Sequence, residues 1–293
     1  MRIAHAPSQL ERRPRAVAIG TFDGVHRGHR SVLRAAIDSG LEPTVITLDP
    51  HPRIVLGNRV DLISTLERRL ELLAEAGVAD TLVAAFTPEF MRLSPAEFIA
   101  TYLTSIGAEA VAVGEDFRFG HRRSGSLETL VAAGLDLLPV TEVEHVSSTA
   151  IRDAVRDADL GAAAAMLGRP FELDGTVVAG DQRGGTLGYP TANIAMDPQL
   201  LCPRYGIYAG ESLGHRAAVS IGTNPHYGGT ERRIEPYLLD FDGDLYGKRL
   251  VVELWQRLRD EEVFESEEAL VAQIARDVDA TRAAVRPISG RQP

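Results

Sequence analysis

The sequence of 293 residues predicts an α/β domain with a doubly wound parallel sheet, then an antiparallel β-barrel domain and a C-terminal helix. Three observations predict this division. Short apolar runs alternate with helical patterns up to about residue 155. Glycine and proline then recur every few residues over about 168–250, and an amphipathic pattern follows Ser266. At about 150 residues per domain, the length also suits two domains with separate cores.

Five apolar runs in the first half are typical of buried parallel strands, because each is continuous and is bounded by turn residues. The helices between them carry clear boundary signals. Ser64 and Glu67 form a capping-box pattern before a helix that Gly77 ends, and Ser94 and Glu97 repeat this pattern. The predicted strands are 16–19, 45–48, 82–86, 111–113 and 137–140.

The second half has shorter strands and more turns. The alanine-rich segment 156–167 predicts a helical connector between a first domain over 1–155 and a second over 168–287. Acidic residues directly after Ser266 suit the first turn of the C-terminal helix. The predicted barrel strands are 171–178, 205–210, 216–221, 234–241 and 249–258.

Composition excludes several classes of function. With 31 basic and 41 acidic residues, the net charge of −10 argues against a nucleic-acid or membrane-surface binder. The N-terminus has no apolar segment of a secretion signal, so a cytoplasmic location is expected. Cys202, the single cysteine, forms neither an internal disulfide nor a cysteine zinc cluster. Lys248 is the only lysine and follows glycine without a P-loop pattern, so phosphate chemistry must use histidine, arginine, backbone amides or a metal.

The string GTFDGVHRGH, from Gly20 to His29, follows the first predicted strand and opens a helix. A loop in that position presents free backbone N–H groups to an anion. Gly20, Gly24 and Gly28 allow the loop to bend and allow phosphates to approach the backbone. His26 and His29 share one face of the helix and can donate hydrogen bonds to a leaving pyrophosphate.

Two other interpretations of these histidines stay open from the residues alone. Two surface histidines near a turn would show the same pattern. A metal pair would need His51 or Asp23 as a further ligand, without supporting spacing. The position of the whole string on a strand-to-helix loop favours nucleotide binding.

Two further strings have both a structural and a chemical interpretation. In SSTAIR, the hydroxyls of residues 147–149 suit a helix N-cap or a phosphate, and Arg152 adds a fork of donors. In LGYPTAN, Thr191 and Asn193 present two oxygen ligands suited to Mg²⁺, although the string alone is equally typical of a turn. Glu235 begins an apolar run and is either a surface charge or a general base for a primary hydroxyl.

In the first 155 residues, the HxGH string resembles the signature of the nucleotidylyltransferases, specifically the FMN adenylyltransferase half of bifunctional riboflavin kinase/FAD synthetases. TLDPHPR at 47–53, VGEDFRFG at 113–120 and SSTAIR at 147–152 resemble the same family. The resemblance implies a Rossmann-like fold in which His26, His29 and Arg152 act on the triphosphate of ATP. It implies flavin contacts at Asp116, where the family often carries asparagine, and at Phe117. The implied phosphate-binding residues are Gly20, Phe22, Asp23, Gly24, Gly28, Ser148 and Thr149.

The remainder of the chain resembles the riboflavin kinase domain of the same family. The shared strings are LGRPF, LGYPTAN, PRYGIYA, IGTNP and LLDFDGDLYGK, between residues 167 and 248. The resemblance implies that Thr191 and Asn193 bind a Mg²⁺–nucleotide and that Glu235 deprotonates the ribityl 5′-hydroxyl. It implies a loop from Gly180 to Gly188 over the phosphates and a flavin contact at Tyr237. The chain departs from the family at Gly185, usually arginine, and at His226-Tyr227, usually Thr-Phe.

The predicted function is therefore bifunctional flavin cofactor synthesis, with ATP as co-substrate, Mg²⁺ as cofactor, and FMN and FAD as products. The barrel domain would phosphorylate riboflavin, and the α/β domain would adenylylate FMN. Two alternatives stay open: only one activity is retained, or the chain is a flavin-binding regulator without turnover. The expected partners are riboflavin, FMN and ATP, with neither nucleic acid nor membrane, and the sequence leaves the oligomeric state open.

Overall fold

The computed structural model describes residues 1–179, 189–223 and 232–287. The chain divides into two compact units. The α/β unit comprises Met1–Val60 and Leu66–Val146, and the barrel unit comprises Asp61–Thr65 and the chain from Ser147 onward. This division falls earlier than residue 155, because Ile151 and Val155 are fully buried in the hydrophobic core of the barrel unit.

The α/β unit is built on a parallel sheet of six strands in the order β1-β4-β3-β2-β5-β6. Four predicted runs form strands, the run 137–140 overlaps its strand only at Leu137, and the additional strand β1 is only three residues long. Alternate residues of the central strand face two separate cores, with Val17 and Ile19 in one and Ala16 and Ala18 in the other. The doubly wound fold is thus confirmed. The strands are β1 Arg2–Ala4, β2 Arg15–Gly20, β3 Glu42–Asp49, β4 Asp80–Ala85, β5 Ala108–Ala112 and β6 Asp136–Leu137.

Helices cover this sheet, and α3 begins at Leu66, two residues after the predicted cap Ser64. The second predicted capping box is confirmed, since Ser94 N–H donates to Glu97 Oε2 at 2.8 Å and Glu97 N–H donates to Ser94 Oγ at 3.3 Å. After Phe98 the helix continues as a π turn and a 3₁₀ turn, and Gly107 in the left-handed region ends it. The helices are α1 Arg27–Ile37, α2 Pro52–Val55, α3 Leu66–Glu75, α4 Pro88–Arg92, α5 Pro95–Phe98 and α6 Leu127–Ala132, with short 3₁₀ turns at Pro7–Gln9 and His121–Arg123.

The barrel unit is built on six strands in the order β11-β10-β9-β12-β7-β8, with antiparallel neighbours. The Ala192 N–H donates to the Pro236 carbonyl at 3.0 Å, which brings the two ends of the sheet together. The predicted barrel and its five strands are confirmed, and β8 is the additional one. The strands are β7 Phe171–Val178, β8 Asn193–Ala195, β9 Gly206–Ser212, β10 His215–Thr223, β11 Arg232–Leu238 and β12 Arg249–Arg259.

Among the described residues, three helices belong to the barrel unit: α7 Ser148–Arg156, α8 Leu160–Leu167 and α9 Glu267–Ala283. The predicted connector forms α8, and its buried Leu160 and Leu167 belong to the barrel core. Ser266 caps α9 as predicted, because its hydroxyl accepts the Ala269 N–H at 3.2 Å. The segment between the two domain patterns is therefore part of a folded core.

Candidate active sites

A tight buried turn joins β2 to α1. Phe22, Gly24 and Val25 all adopt positive φ angles, of 50°, 76° and 40°, and the Val25 N–H donates to the Phe22 carbonyl at 3.0 Å. Glycine tolerates this backbone region, whereas Phe22 and Val25 are strained in it. Phe22 and Asp23 are each only 1% exposed. Strain of this kind persists where surrounding packing enforces it and is concentrated at functional sites.

The two predicted histidines meet directly after this turn. His26 is the N-cap of α1, where its Nδ1 accepts the His29 N–H at 3.2 Å. The two imidazole rings stack with centroids 3.5 Å apart and planes 16° from parallel. Because Nδ1 of His26 is an acceptor, the ring proton lies on Nε2. A Cβ at Gly28 would lie 3.2 Å from Cε1 of His26, so glycine preserves this ring position.

Arg30 is a candidate phosphate contact that the sequence analysis missed. It follows His26 by one helical turn, which places both side chains on one face of α1. Its Nε is buried and has no hydrogen-bond partner among the residues that the structure describes. The first turn of α1 contains no acidic residue. A cation at a helix N-terminus is electrostatically unfavourable, so this arrangement favours an anionic ligand. In the sequence, the position of Arg30 directly after the HxGH string could have indicated this contact.

Arg69 stabilises the same turn through contacts with β3, and the sequence analysis did not identify it. It is 1% exposed, and its Nη1 donates to Thr47 Oγ1 at 3.3 Å and to the Leu48 carbonyl at 3.2 Å. The Thr47 hydroxyl in turn donates to the Thr21 carbonyl at 3.0 Å. Burial lowers the pKa of Arg69, and the Asp23 and Asp49 carboxylates oppose that shift. In the sequence, the only indication was an arginine at helical spacing from Leu66 and Leu73.

The predicted flavin contacts of the α/β unit follow β5. Asp116 is exposed, and Phe117 is half-buried and stacks on Phe119 with ring centroids 5.7 Å apart. Because β5 is the parallel neighbour of β2, this loop and the Gly20–His29 turn lie at the same edge of the sheet. That edge is the one at which doubly wound sheets bind ligands.

The SSTAIR string forms the start of α7 in the barrel unit. The hydroxyl that caps the helix belongs to Ser147, which accepts the Ala150 N–H at 3.1 Å, while Ser148 and Thr149 lie in the first turn. Arg152 is 7% exposed, and its Nε donates to the Asp61 carbonyl at 2.7 Å. The structure therefore shows a structural contact of Arg152, and its contact with ATP phosphates stays a prediction.

In the barrel, β11 separates two cavities because its side chains alternate between faces. Glu235 and Tyr237 line one cavity of about 280 Å³, here named the Glu235 cavity. Pro236 and Leu238 line a second cavity of about 540 Å³, named the Asn193 cavity. Glu235 lies in the middle of β11 rather than at its start, since the strand already begins at Arg232.

The other predicted kinase residues lie around the same strand. Thr191 lines both cavities, and Asn193 lines the second together with Asp242 and Asp244. Tyr237 packs edge-on against Tyr189, with ring centroids 5.4 Å apart. The structure thus places Glu235, Tyr237, Thr191 and Asn193 around β11, where the two ends of the barrel sheet meet. Gly180, Gly185, Gly188 and His226 lie outside the described residues.

The Glu235 cavity contains several charged groups. The Glu235 side chain is 31% exposed, and its Oε1 lies 3.8 Å from Arg233 Nη1. Burial raises the pKa of Glu261 above its usual range, Arg259 opposes that shift, and the nearby Glu235 adds to it. Ser220 on β10 lies directly opposite Glu235 and lines the same cavity. A hydroxyl substrate would therefore meet a carboxylate in a partly desolvated environment.

Comparisons with known proteins identify the family of each half of the chain. A family model described as FAD synthetase matches residues 8–153, and one described as riboflavin kinase matches residues 167–285. A bifunctional riboflavin kinase/FMN adenylyltransferase from Listeria monocytogenes is 37% identical, with 92% of each chain covered. The protein of the same name from Escherichia coli is 36% identical, with 93% of each chain covered.

Solved structures share the fold. A crystal structure described as a macrolide-efflux protein from Streptococcus pneumoniae has a TM-score of 0.83 and 31% identity, and the match covers 97% of this chain and 99% of that chain. In the described part of this chain, no helix has the length and apolar character needed to cross a membrane. From the two family models and the full-length relatives, we conclude that the chain belongs to the bifunctional riboflavin kinase/FMN adenylyltransferase family.

Proposed function

We propose that the chain makes FAD in two steps at the two sites described above. The barrel site phosphorylates riboflavin with ATP to give FMN and ADP, and the α/β site joins FMN to ATP to give FAD and pyrophosphate. The observation that supports this function is the pair of family matches, which occur in order along one chain and contain the two sets of site residues.

For the kinase step, we assign Glu235 as the general base. It would accept the proton of the ribityl 5′-hydroxyl as that oxygen attacks the γ-phosphorus of ATP, and ADP would leave. Riboflavin would occupy the Glu235 cavity beside Tyr237. The nucleotide would occupy the Asn193 cavity, so that Thr191 at the border of both cavities lies near the transferred phosphoryl group.

The oxygen ligands of the barrel site are compatible with a nucleotide-bound Mg²⁺. Thr191 and Asn193 offer a hydroxyl and an amide oxygen on the wall of one cavity. Among the described residues, no group of three or more histidines, cysteines or carboxylates could hold a metal ion. Mg²⁺ is commonly bound by few protein ligands together with waters and substrate phosphates, which suits this donor set. When bound, the ion would neutralise charge that develops on the phosphates.

For the adenylyl transfer, the FMN phosphate would attack the α-phosphorus of ATP in line. His26 through Nε2 and His29 would donate to the phosphates and stabilise charge on the leaving pyrophosphate. The Arg27 and Gly28 N–H groups at the start of α1 would contribute to the same stabilisation, because they have no carbonyl partner within the helix. The glycines of the turn, with Phe22 and Asp23, would shape the loop that receives the triphosphate.

The remaining assignments rest on the family resemblance. Ser148, Thr149 and Arg152 would bind ATP phosphates, and Asp116 and Phe117 would contact the flavin of FMN. The loop from Gly180 to Gly188 would cover the nucleotide in the kinase step. The cytoplasmic location stays a prediction.

An assay of flavin products tests the proposal. The purified protein is incubated with riboflavin, ATP and Mg²⁺, and the flavins are separated by chromatography. We expect FMN first and FAD later, and FAD directly when FMN is supplied. FMN without FAD, or FAD only from supplied FMN, would show that one activity is lost. No consumption of ATP with either flavin would support a regulator without turnover.

A further inference from the structure

A largely buried ion pair, with side chains 17% and 9% exposed, joins helix α9 to the end of β12. Arg259 Nε donates to Asp277 Oδ1 at 2.9 Å, and its Nη2 donates to Oδ2 at 2.7 Å. Asp277 is 6% exposed, and Gln273 Nε2 donates to its Oδ1 at 2.8 Å. A bidentate arginine–carboxylate pair fixes both distance and orientation, so it restrains the helix more than a single contact would.

This pair forms one side of the Glu235 cavity. Leu270, Ile274 and Asp277 follow one another at helical spacing and all line that cavity. Phe264 also lines it, and the Arg259 guanidinium lies 5.8 Å from the centre of its ring. The wall built by α9 is therefore largely apolar, and the Arg259–Asp277 contact joins it to β12.

A second ion pair on the same helix has a different environment. Arg282 Nη1 and Nη2 donate to the two oxygens of Asp240 at 2.8 and 2.9 Å. Both side chains are exposed, at 51% and 68%, and neither lines the cavity. Exposed pairs contribute little to stability, whereas removing one partner of a buried pair leaves an uncompensated charge. The molecule thus contains a matched control for the buried pair.

We propose that Arg259 and Asp277 are positioning residues that hold the apolar wall of α9 against the flavin ring of riboflavin. This proposal rests on the proposed kinase function and adds a determinant of flavin affinity to it. The nucleotide would bind in the Asn193 cavity, whose lining does not include α9. Loss of the pair should therefore weaken riboflavin binding and leave ATP binding nearly unchanged.

Steady-state kinetics of Asp277→Asn tests this inference in the full-length protein, with Asp240→Asn as the control. We expect the KM for riboflavin to rise by about tenfold to a hundredfold, the scale produced when a positioned group moves by about 1 Å. We expect the KM for ATP to stay within about twofold, and FAD formation from supplied FMN to be unchanged. Asp240→Asn should match the wild type in all three. The KM for riboflavin of Arg259→Lys, which retains the charge, should lie between those of the wild type and Asp277→Asn.

A binding measurement separates this inference from the proposed function. Riboflavin affinity is also measured by quenching of flavin fluorescence, which needs no turnover. Weaker riboflavin binding in Asp277→Asn than in Asp240→Asn supports the positioning role even if the wild type makes no FMN. Equal riboflavin affinity in folded Asp277→Asn and wild type would overturn it. Equal increases in both KM values would also overturn it. If Asp277→Asn fails to fold, the same outcomes apply to Arg259→Lys.

Discussion

His26 has two separable contributions, and replacing it by asparagine distinguishes them. Its Nδ1 caps α1 at 3.2 Å from the His29 nitrogen, and its ring stacks on His29. Asparagine is among the best N-cap residues, so His26→Asn should retain the cap while removing the imidazole. His26→Ala should remove both.

The two losses have different expected sizes. Loss of the cap costs about 1 kcal/mol of stability, which corresponds to a fall in Tm of roughly 2–4 °C for a domain of this size. Loss of one donor to developing charge costs about 10²–10³ in rate, or about 3–4 kcal/mol. His26→Asn should therefore unfold within about 1 °C of the wild type and still make FAD about 10²-fold more slowly.

The assay uses both activities of one polypeptide. FAD formation from FMN is measured by chromatography, and FMN formation from riboflavin serves as the internal control. Trp255 is the only tryptophan and lies in β12, so its fluorescence follows the barrel, while circular dichroism follows both units. FAD formation at the wild-type rate in His26→Asn would refute the role of the imidazole. A Tm of His26→Ala equal to that of His26→Asn would refute the capping contribution.

Three other substitutions test other parts of the structure. Glu235→Gln should reduce FMN formation by about 10²-fold or more and spare FAD formation from FMN; equal loss of both in a folded protein would contradict its role as a base. Gly28→Ala should leave the Tm unchanged or raised, since alanine favours helix, and slow FAD formation about tenfold because its Cβ would press on His26 at 3.2 Å; an unchanged rate would show that the ring position is unimportant. Burial raises the pKa of Asp80, but hydrogen bonds and charge interactions with Arg2 and Arg15 outweigh it and leave the pKa below its usual range. This contribution to stability is complete above about pH 4 and is lost as the pH falls through the folded-state pKa. Asp80→Asn should lower stability by about 3–5 kcal/mol and reduce the acid-induced loss seen in calorimetric melts from pH 6 to 2; an identical pH dependence in this variant would contradict the assignment.

Local patterns in the sequence predicted most elements because their causes are local. Continuous apolar runs predicted β2 to β5, and the Ser94–Glu97 capping box is present as expected. The short strands β1 and β8 were missed because three residues carry no detectable periodicity. The predicted domain boundary at residue 155 lies after Ser147, where the longer segment of the barrel unit begins. The sequence could not place it, because only packing shows which hydrophobic core contains Ile151.

The residues of the candidate sites also divide into those that local patterns predict and those that only distant contacts define. HxGH, LGYPTAN and Glu235 were found from the sequence, because their residue types and spacing are themselves the chemical signal. Arg69 and Arg259 were not found, since an isolated arginine acquires its meaning only from what surrounds it. Arg69 contacts Thr47, and Arg259 contacts Asp277, at sequence separations that no local pattern encodes.

By itself, the sequence determined the two fold types and their order along the chain, and it predicted the candidate residues for the chemistry. These follow from periodicity, turn residues and motifs within a few positions of one another. Only the tertiary structure decided that the two imidazoles stack, that β11 separates two cavities, and that α9 is held to β12 by a buried ion pair. Such features depend on contacts between distant segments, whose geometry is fixed only when the whole core packs.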